Sequence, residues 1–487
     1  MATNSAGVEY EAVSEPYVET ENSVDNRKDV SDRLLKIHNV TSNRFWQFAA
    51  LTGLMFALGI IGFILKVASG FDDKDVWGYY VAVFAFLMTT TAAAPMVAIA
   101  PRIANAHWRR PISRAAELWT VAGCLNLVLY IPLIWLLPSL ENGRRSLWFY
   151  GQQASKDQFW TGFESVPAYS PHIWATLAIV SLVVLGLALV WLSCLPDFAV
   201  LRDQGTGWRQ KWGRRLSLGW IGTTRQWNWQ YHRMGIVSAF YFMMLIFVHF
   251  FISVEFLMVH VPGWIDSLYP ITHAHNALQA GVATMMLTIF CLRQFGGYKD
   301  YIGLDQFWGL GKLLLALSLL WFWFSSFNLF WYAKKPSELS LLELLISGPY
   351  KIMFIVEFLL VFIIPWFSMI WNPVRRSVWG PAVIAVSVLL GTLLDRIRLY
   401  VASWDAASRD FVSMLEMEMH EVPEKIVTPA IADIFLIVGF IGGSIFIFML
   451  ASRLIPVMNI WEQKEFLLYK AEAQYHRAKV LVLGKPR

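Results

Sequence analysis

Residues able to move protons are scarce in this chain and stand in strongly apolar surroundings. Glu255 closes an aromatic run, HFFISVE, in which His249 comes six residues earlier. His172 opens a second apolar stretch, and His273, His275 and Asn276 open a third. Asp395, Arg396 and Arg398 interrupt a fourth, while Glu357 and Asp433 each stand singly in one. An ionisable side chain inside such a stretch is costly to desolvate, so each is a functional candidate. A lone carboxylate such as Glu255 suits proton exchange, and a histidine suits the partner hydrogen bond to a hydroxyl. Each residue also has a plainer reading. Asp395 with Arg396 or Arg398 fits a structural ion pair, which would cost several kcal/mol to break whatever its role. His273 and His275 fit interfacial residues of a connection, and His249 fits an interhelical hydrogen-bond donor.

The elements that must position these residues follow from composition. Of 487 residues, 56% are hydrophobic and 15% charged, against about 25% charged in soluble chains. Mean hydropathy is +0.48. These values exclude a disordered chain, a coiled coil and a disulfide-stapled secreted module, and they argue against a soluble enzyme. Ten apolar stretches reach the roughly 20 residues that a bilayer crossing needs: 45–66, 77–100, 115–138, 172–195, 233–259, 271–292, 306–331, 350–371, 379–402 and 428–452. Their length makes them helices rather than barrel strands. The fold class is therefore an all-α polytopic membrane protein with about ten transmembrane helices. Pro95, Pro132, Pro196, Pro365 and Pro429 lie in or beside spans and predict kinks rather than breaks.

Lys and Arg concentrate in the two tails and in alternate connections. Arg202, Arg209, Lys211, Arg214, Arg215 and Arg225 all fall between spans four and five. The positive-inside rule then places both termini in the cytoplasm. With that orientation Glu255, His260, His172, His273, Asp395, Arg396, Arg398 and Asp433 fall in the outer half of the membrane, and the inner half holds few titratable groups. The pattern suggests a polar pocket or proton path opening to the periplasmic side. The first 25 residues are polar and acidic, without a secretory signal. The segment 461–487 reads as an amphipathic helix on the membrane surface or on a partner, or else as a solvated tail.

Redox groups find few ligands. Cys124, Cys194 and Cys291 are scattered, with no CxxC spacing. A bis-histidine haem needs a central histidine on each of two helices, and His249 alone is central. His273 and His275 are two apart, so on a helix they face different ways, a poor metal geometry. GLGK at 309–312 is too short for a phosphate-binding loop. Nothing in the distribution of charge points to nucleic acid.

Several blocks resemble the NrfD/PsrC (polysulfide reductase NrfD) family of quinone-interacting membrane subunits. They are LPDFAVLRD at 195–203, RRLSLGWIGTTRQWNWQYHR at 214–233 and FISVEFLMVHVPGW at 251–264, with HWRRPISRAAE at 107–117 and GPYKIMFIVEFLLVFIIPW at 348–366. The match is nearest to the ten-helix C and F subunits of bacterial alternative complex III and covers about residues 45–450. The resemblance implies two four-helix bundles, helices 2–5 and 6–9, plus two flanking helices. The chain then divides into a cytoplasmic tail (1–44), helices 1–5 with the first bundle (45–259), the second bundle (260–402), a connection with helix 10 (403–453) and a C-terminal tail (454–487).

The resemblance further implies a subunit of a quinol:electron-acceptor oxidoreductase in the bacterial inner membrane, with quinol as substrate and no cofactor in this chain. Partners would be an iron–sulfur, molybdopterin-like peripheral subunit, c-type cytochrome subunits carrying haem c, a second NrfD-like subunit and membrane lipids. Quinol would meet Glu255, His249 and His172, with Trp135, Trp174 and Ala175 around the pocket. Asp395, Arg396, Arg398, Glu357 and Asp433 would form an ion-paired cluster or proton relay in the second bundle. The chain departs from the pattern where quinol-oxidising members carry a His in helix 3 and an Asp in helix 4. Here those places hold Trp135 and Ala175. The departure leaves room for a non-catalytic companion subunit; a secondary transporter is the reading from another class.

Overall fold

The structure, a computed structural model, describes residues 24–139, 169–261, 264, 266–334, 346–407, 426–469, 472–475 and 478–481. Among the described residues, sixteen α-helices organise it, besides a single helical turn at Asn372–Arg375. A short amphipathic helix α1 (Val24–Asn39) precedes the long α2 (Asn43–Ala68). Then come α3 (Gly78–Thr90), α4 (Met96–Ile103), α5 (Ser113–Leu118), α6 (Gly123–Leu136) and α7 (Ser170–Gln204). The surface helix α8 (Gly207–Leu216) leads to α9 (Thr224–Glu255), α10 (Leu268–Phe295) and α11 (Leu304–Lys334). The remainder is α12 (Lys351–Phe358), α13 (Ile364–Ile370), α14 (Trp379–Ala407), α15 (Ile431–Leu454) and α16 (Ile460–Tyr469).

Eight described helical stretches are long and apolar enough to cross a membrane. The other two expected spans, 77–100 and 379–402, are helical as well. The first is broken after Thr90, and the second carries Asp395, Arg396 and Arg398. The chain is thus a polytopic α-helical membrane protein, with two of its helices marked by polar content or interruption.

Packing follows sequence order. α9 lies against α7, α6 bridges α7 and α3, and α4 touches α9 and α10. α10 packs on α11 and α14, and α12 packs on α14. The two halves meet where α14 and α10 pack on α3 and where α10 packs on α9. α2 and α15, the first and last spans, pair along most of their length. That pairing needs glycine. A Cβ on Gly59 would lie 2.9 Å from the Gly439 backbone, and one on Gly62 would lie 2.8 Å from the Ala432 carbonyl oxygen. Small residues let helix backbones approach closely in lipid, where tight packing replaces the hydrophobic drive.

Three spans are irregular, and two of the irregularities free backbone for a buried polar partner. Residues 91–95 form turns between α3 and α4, so Pro95 accompanies a break rather than the expected kink. The freed Ala92 carbonyl accepts the Tyr241 hydroxyl at 2.7 Å. Gly281 of α10 fits against the same turn, where a Cβ would meet Ala93 at 2.7 Å. A 3-10 turn (Trp119–Ala122) joins α5 to α6. A π-helical turn (Leu359–Ile363) joins α12 to α13 just before Pro365, and it opens carbonyls that accept from Gln279 (3.1 Å, to Val361) and Ser387 (2.9 Å, to Leu360). Pro132 and Pro196 lie inside unbroken α6 and α7, and Pro429 precedes α15. Past α16, a two-stranded antiparallel hairpin (Glu472–Tyr475 with Ala478–Leu481) replaces part of the helix expected over 461–487.

Candidate functional site

α14 places Asp395, Arg396 and Arg398 at spacings of one and three residues, so two of them flank the third around one turn. Arg396 donates to Asp395 at 2.7 Å, to the Asn276 side-chain oxygen on α10 at 2.8 Å and to the Thr89 hydroxyl on α3 at 3.2 Å. Arg398 donates to Asp395 at 3.1 Å and to Glu357 on α12 at 2.9 Å. Two carboxyl groups and two guanidinium groups, all buried, form one network across four helices. The expected ion pair of Asp395 with a neighbouring arginine is present and larger than either pair considered.

A hydrogen-bonded row of two histidines and a tyrosine lies beside this network. His249 Nδ1 on α9 and His273 Nδ1 on α10 are 3.2 Å apart, and His273 Nε2 is 3.1 Å from the Tyr400 hydroxyl on α14. A neutral imidazole has one donor and one acceptor nitrogen. The row Tyr400–His273–His249 therefore has a direction, and passing a proton along it reverses every bond. His273, read from sequence as an interfacial residue, is a fully packed interior residue at 1% exposure. His275 turns the other way and meets the Leu317 carbonyl on α11 at 2.8 Å, as their spacing predicts. The two facing rings of His249 and His273 hydrogen-bond each other and leave no space for a macrocycle between them.

Between α10, α11, α12 and α14 a cavity of about 70 Å³ opens on His273, Asn276, Glu357, Asp395, Arg396 and Arg398. Tyr269, Trp321, Ser325 and Asn328 line its other walls. A water needs about 10–15 Å³ of such space and two or more polar partners, so this one has room for several.

The remaining sequence-derived candidates lie elsewhere. Asp433 does not join the network. It pairs with Lys66 of α2 at 2.5 Å and accepts the Ala430 N–H at 2.9 Å, capping α15. The helix that supplies its partner is not encoded by any pattern within α15 itself. His172 is buried and its Nε2 lies 2.9 Å from the Leu137 carbonyl oxygen. Glu255 is fully buried at the end of α9, and Ala175 is buried in α7. Trp135 is 78% exposed and Trp174 53%; both rings stand on the outer surface rather than walling an interior pocket. Among the described residues, no group of three His, Cys, Asp or Glu side chains is arranged to hold a metal ion.

A second buried cluster of titratable groups lies where α1 and α16 meet, outside the sites the sequence singles out. At the end of the molecule that carries both tails, Arg102 pairs with Glu117 at 2.6 Å, and Arg114 pairs with Asp197 at 3.1 Å. Glu462 of α16 inserts between Arg109 (2.8 Å) and Arg102 (3.6 Å). Asp197 also accepts the N–H groups of Ile460 and Trp461 at 3.3 Å, anchoring the start of α16. Sequence places Arg102, Arg109, Arg114 and Asp197 in connections, Glu117 at the edge of a span and Glu462 in the C-terminal tail, whereas folding buries them. Between the two networks stand the turn at 91–95, the Asn126 amide donating to Thr91 at 3.1 Å, and Ser238 at 3.5 Å from Arg102.

Burial alone would raise the Glu462 carboxyl, but Arg109 and Arg102 outweigh it and hold it at about 2. His38 of α1 is pushed down to about 3 by burial, then by Arg209 and Arg453. Both folded-state values lie below the unfolded ones, so both contributions are complete at high pH and fall with acid. For His38 the loss begins below about pH 6.5 and runs at up to about 1.4 kcal/mol per pH unit. The N-terminal helix should therefore become protease-sensitive between pH 6.5 and 4. His38→Gln should flatten that pH dependence, and an unchanged profile in the variant would remove His38 as its cause.

No known family model matches the chain, and no curated protein matches it.

Proposed function

We propose that the chain is an integral subunit of a bacterial quinol:electron-acceptor oxidoreductase of the NrfD/PsrC-like kind, and that its own share is proton transfer. In this reading all ten helices cross the inner membrane, as two four-helix bundles with α2 and α15 at the flank, and both tails are cytoplasmic. Iron–sulfur, c-type cytochrome and second NrfD-like subunits carry the electrons. The observation that supports the reading is the buried network of Glu357, Arg398, Asp395 and Arg396 beside the Tyr400–His273–His249 row, on a cavity with room for water. Ionised groups in the apolar interior are costly, and a relay of titratable groups gives that cost a use.

The companion role is favoured over quinol oxidation by this chain itself. His172 is already engaged by Leu137, and Trp135 and Trp174 face outward, so the pocket around Glu255 lacks its anticipated walls. In proteoliposomes holding the whole complex, Asp395→Asn should slow proton translocation by about a hundredfold while quinol-dependent electron transfer continues. Equal loss of both activities would refute a proton-specific role. A density map of the complex with bound quinone provides the second check: a headgroup hydrogen-bonded to Glu255 or His172 would return catalysis to this chain.

A further inference from the structure

Residues 207–233, the connection from α7 together with the first turns of α9, carry six cations, Arg209, Lys211, Arg214, Arg215, Arg225 and Arg233, and no acidic residue. The nearest acid upstream, Asp203, is paired with Arg202 at 2.7 Å. Helix α8 has a fixed inner side. A Cβ on Gly213 would fall 2.7 Å from the Arg202 backbone nitrogen and 2.9 Å from the Phe198 carbonyl oxygen of α7. Gln210 donates to the Arg202 carbonyl at 3.3 Å on that side, and Arg209 reaches Asn39 of α1. At 100° per residue, Trp208, Lys211, Trp212 and Arg215 then form the opposite stripe. The tryptophans on it are 48% and 52% exposed.

Beyond α8 the chain turns through residues with positive φ, Leu218 at 43° and Gly219 at 72°. Leu218 and Ile221 stand outward there at 69% and 74% exposure. Left-handed backbone at a leucine is strained, so this presentation is a built conformation. A connection that merely faced water would carry the cations without the apolar side chains. A purely apolar contact would lack the cations. Indole rings beside lysine and arginine suit the boundary between acyl chains and phosphates, where tryptophan is enriched and basic side chains meet anionic headgroups. α7, at 35 residues, is about 50 Å long against a hydrocarbon core of about 30 Å, so α8 follows a helix that extends beyond that core.

We propose that the stripe Trp208, Lys211, Trp212 and Arg215, with Leu218 and Ile221 beside it, is a binding site for an anionic phospholipid of the adjacent leaflet. The indoles and aliphatic groups take the glycerol and upper acyl region, and Lys211 and Arg215 take the phosphate. This inference rests on the chain spanning a membrane and is independent of the redox proposal.

The test uses the full chain, purified in uncharged detergent and stripped of lipid, with its thermal unfolding midpoint followed as lipid is added. Phosphatidylglycerol should raise the midpoint and phosphatidylcholine should not. Lys211→Gln/Arg215→Gln should shift the half-effective phosphatidylglycerol concentration upward by roughly twentyfold. Trp208→Ser/Trp212→Ser should weaken the response with both cations intact. An unchanged response in the cation variant would overturn the proposal, as would an equal response to inorganic phosphate alone. Loss of a co-purifying protein from the cation variant, with the lipid response intact, would assign the surface to an acidic protein instead.

Discussion

Replacing Arg398 by Gln lowers the stability of the folded chain by about 3–5 kcal/mol, because a buried carboxylate then loses its partner. Glu357 receives the Arg398 guanidinium at 2.9 Å from across the α12–α14 interface, and Asp395 accepts from it at 3.1 Å. The network balances two acids against two arginines. Removing one arginine leaves a net negative charge in the interior. The double variant Glu357→Gln/Arg398→Gln restores that balance, since Asp395 keeps Arg396 at 2.7 Å. It should therefore be less destabilised than the single arginine variant, an inversion of additivity that marks direct coupling. Thermal unfolding of the three proteins in one detergent measures the difference. Equal midpoints for the single arginine and double variants would show that Glu357 and Arg398 do not depend on each other.

Gly439→Leu separates α2 from α15. Any side chain at Gly439 would fall on the Gly59 backbone, and Gly442 and Gly443 are likewise filled against Met55 and Phe56. The clash is with main chain, which cannot rotate away. Overpacking of this kind costs about 1–3 kcal/mol or more even where neighbours yield. The separation also pulls Lys66 from Asp433, a pair with both side chains at 5% exposure or less, and leaves two uncompensated charges. Cysteines placed on the facing sides of α2 and α15 should crosslink readily in the parent chain and fail to do so with Gly439→Leu. Undiminished crosslinking would mean that the helices accommodate the side chain without parting.

The helical spans were legible because apolar runs of some 20 residues have few alternatives in a chain this poor in charge. Lateral neighbours were not. Asp433 pairs with Lys66 of α2, while Asp395 pairs with Arg396 and Arg398 of its own helix and is linked through Arg398 to Glu357 of α12, and no periodicity in a single helix encodes that choice. His273 was misjudged because it comes five residues after the start of α10; the cue in the sequence was Asn276 one turn later, a second polar residue on the same face. Arg114, Glu117 and Asp197 were missed because they end apolar runs, and the neighbour that covers them comes from α16. Trp135 and Trp174 looked like pocket walls by position, but their direction depends on helix rotation, which hydropathy alone did not fix.

The pairing of α2 with α15 also has a temporal side. Lys66 enters the membrane with the first span, while Asp433 belongs to the last. At about 5–20 residues per second, the ribosome reaches Asp433 tens of seconds after Lys66. During that interval the first span has no final neighbour, and its glycine face lies against lipid. Lys66 is near the C-terminal end of its helix, where a long amine can reach the headgroups. Insertion of α15 would then transfer that amine from lipid to carboxylate, making the arrival of that helix the step that seals the pairing.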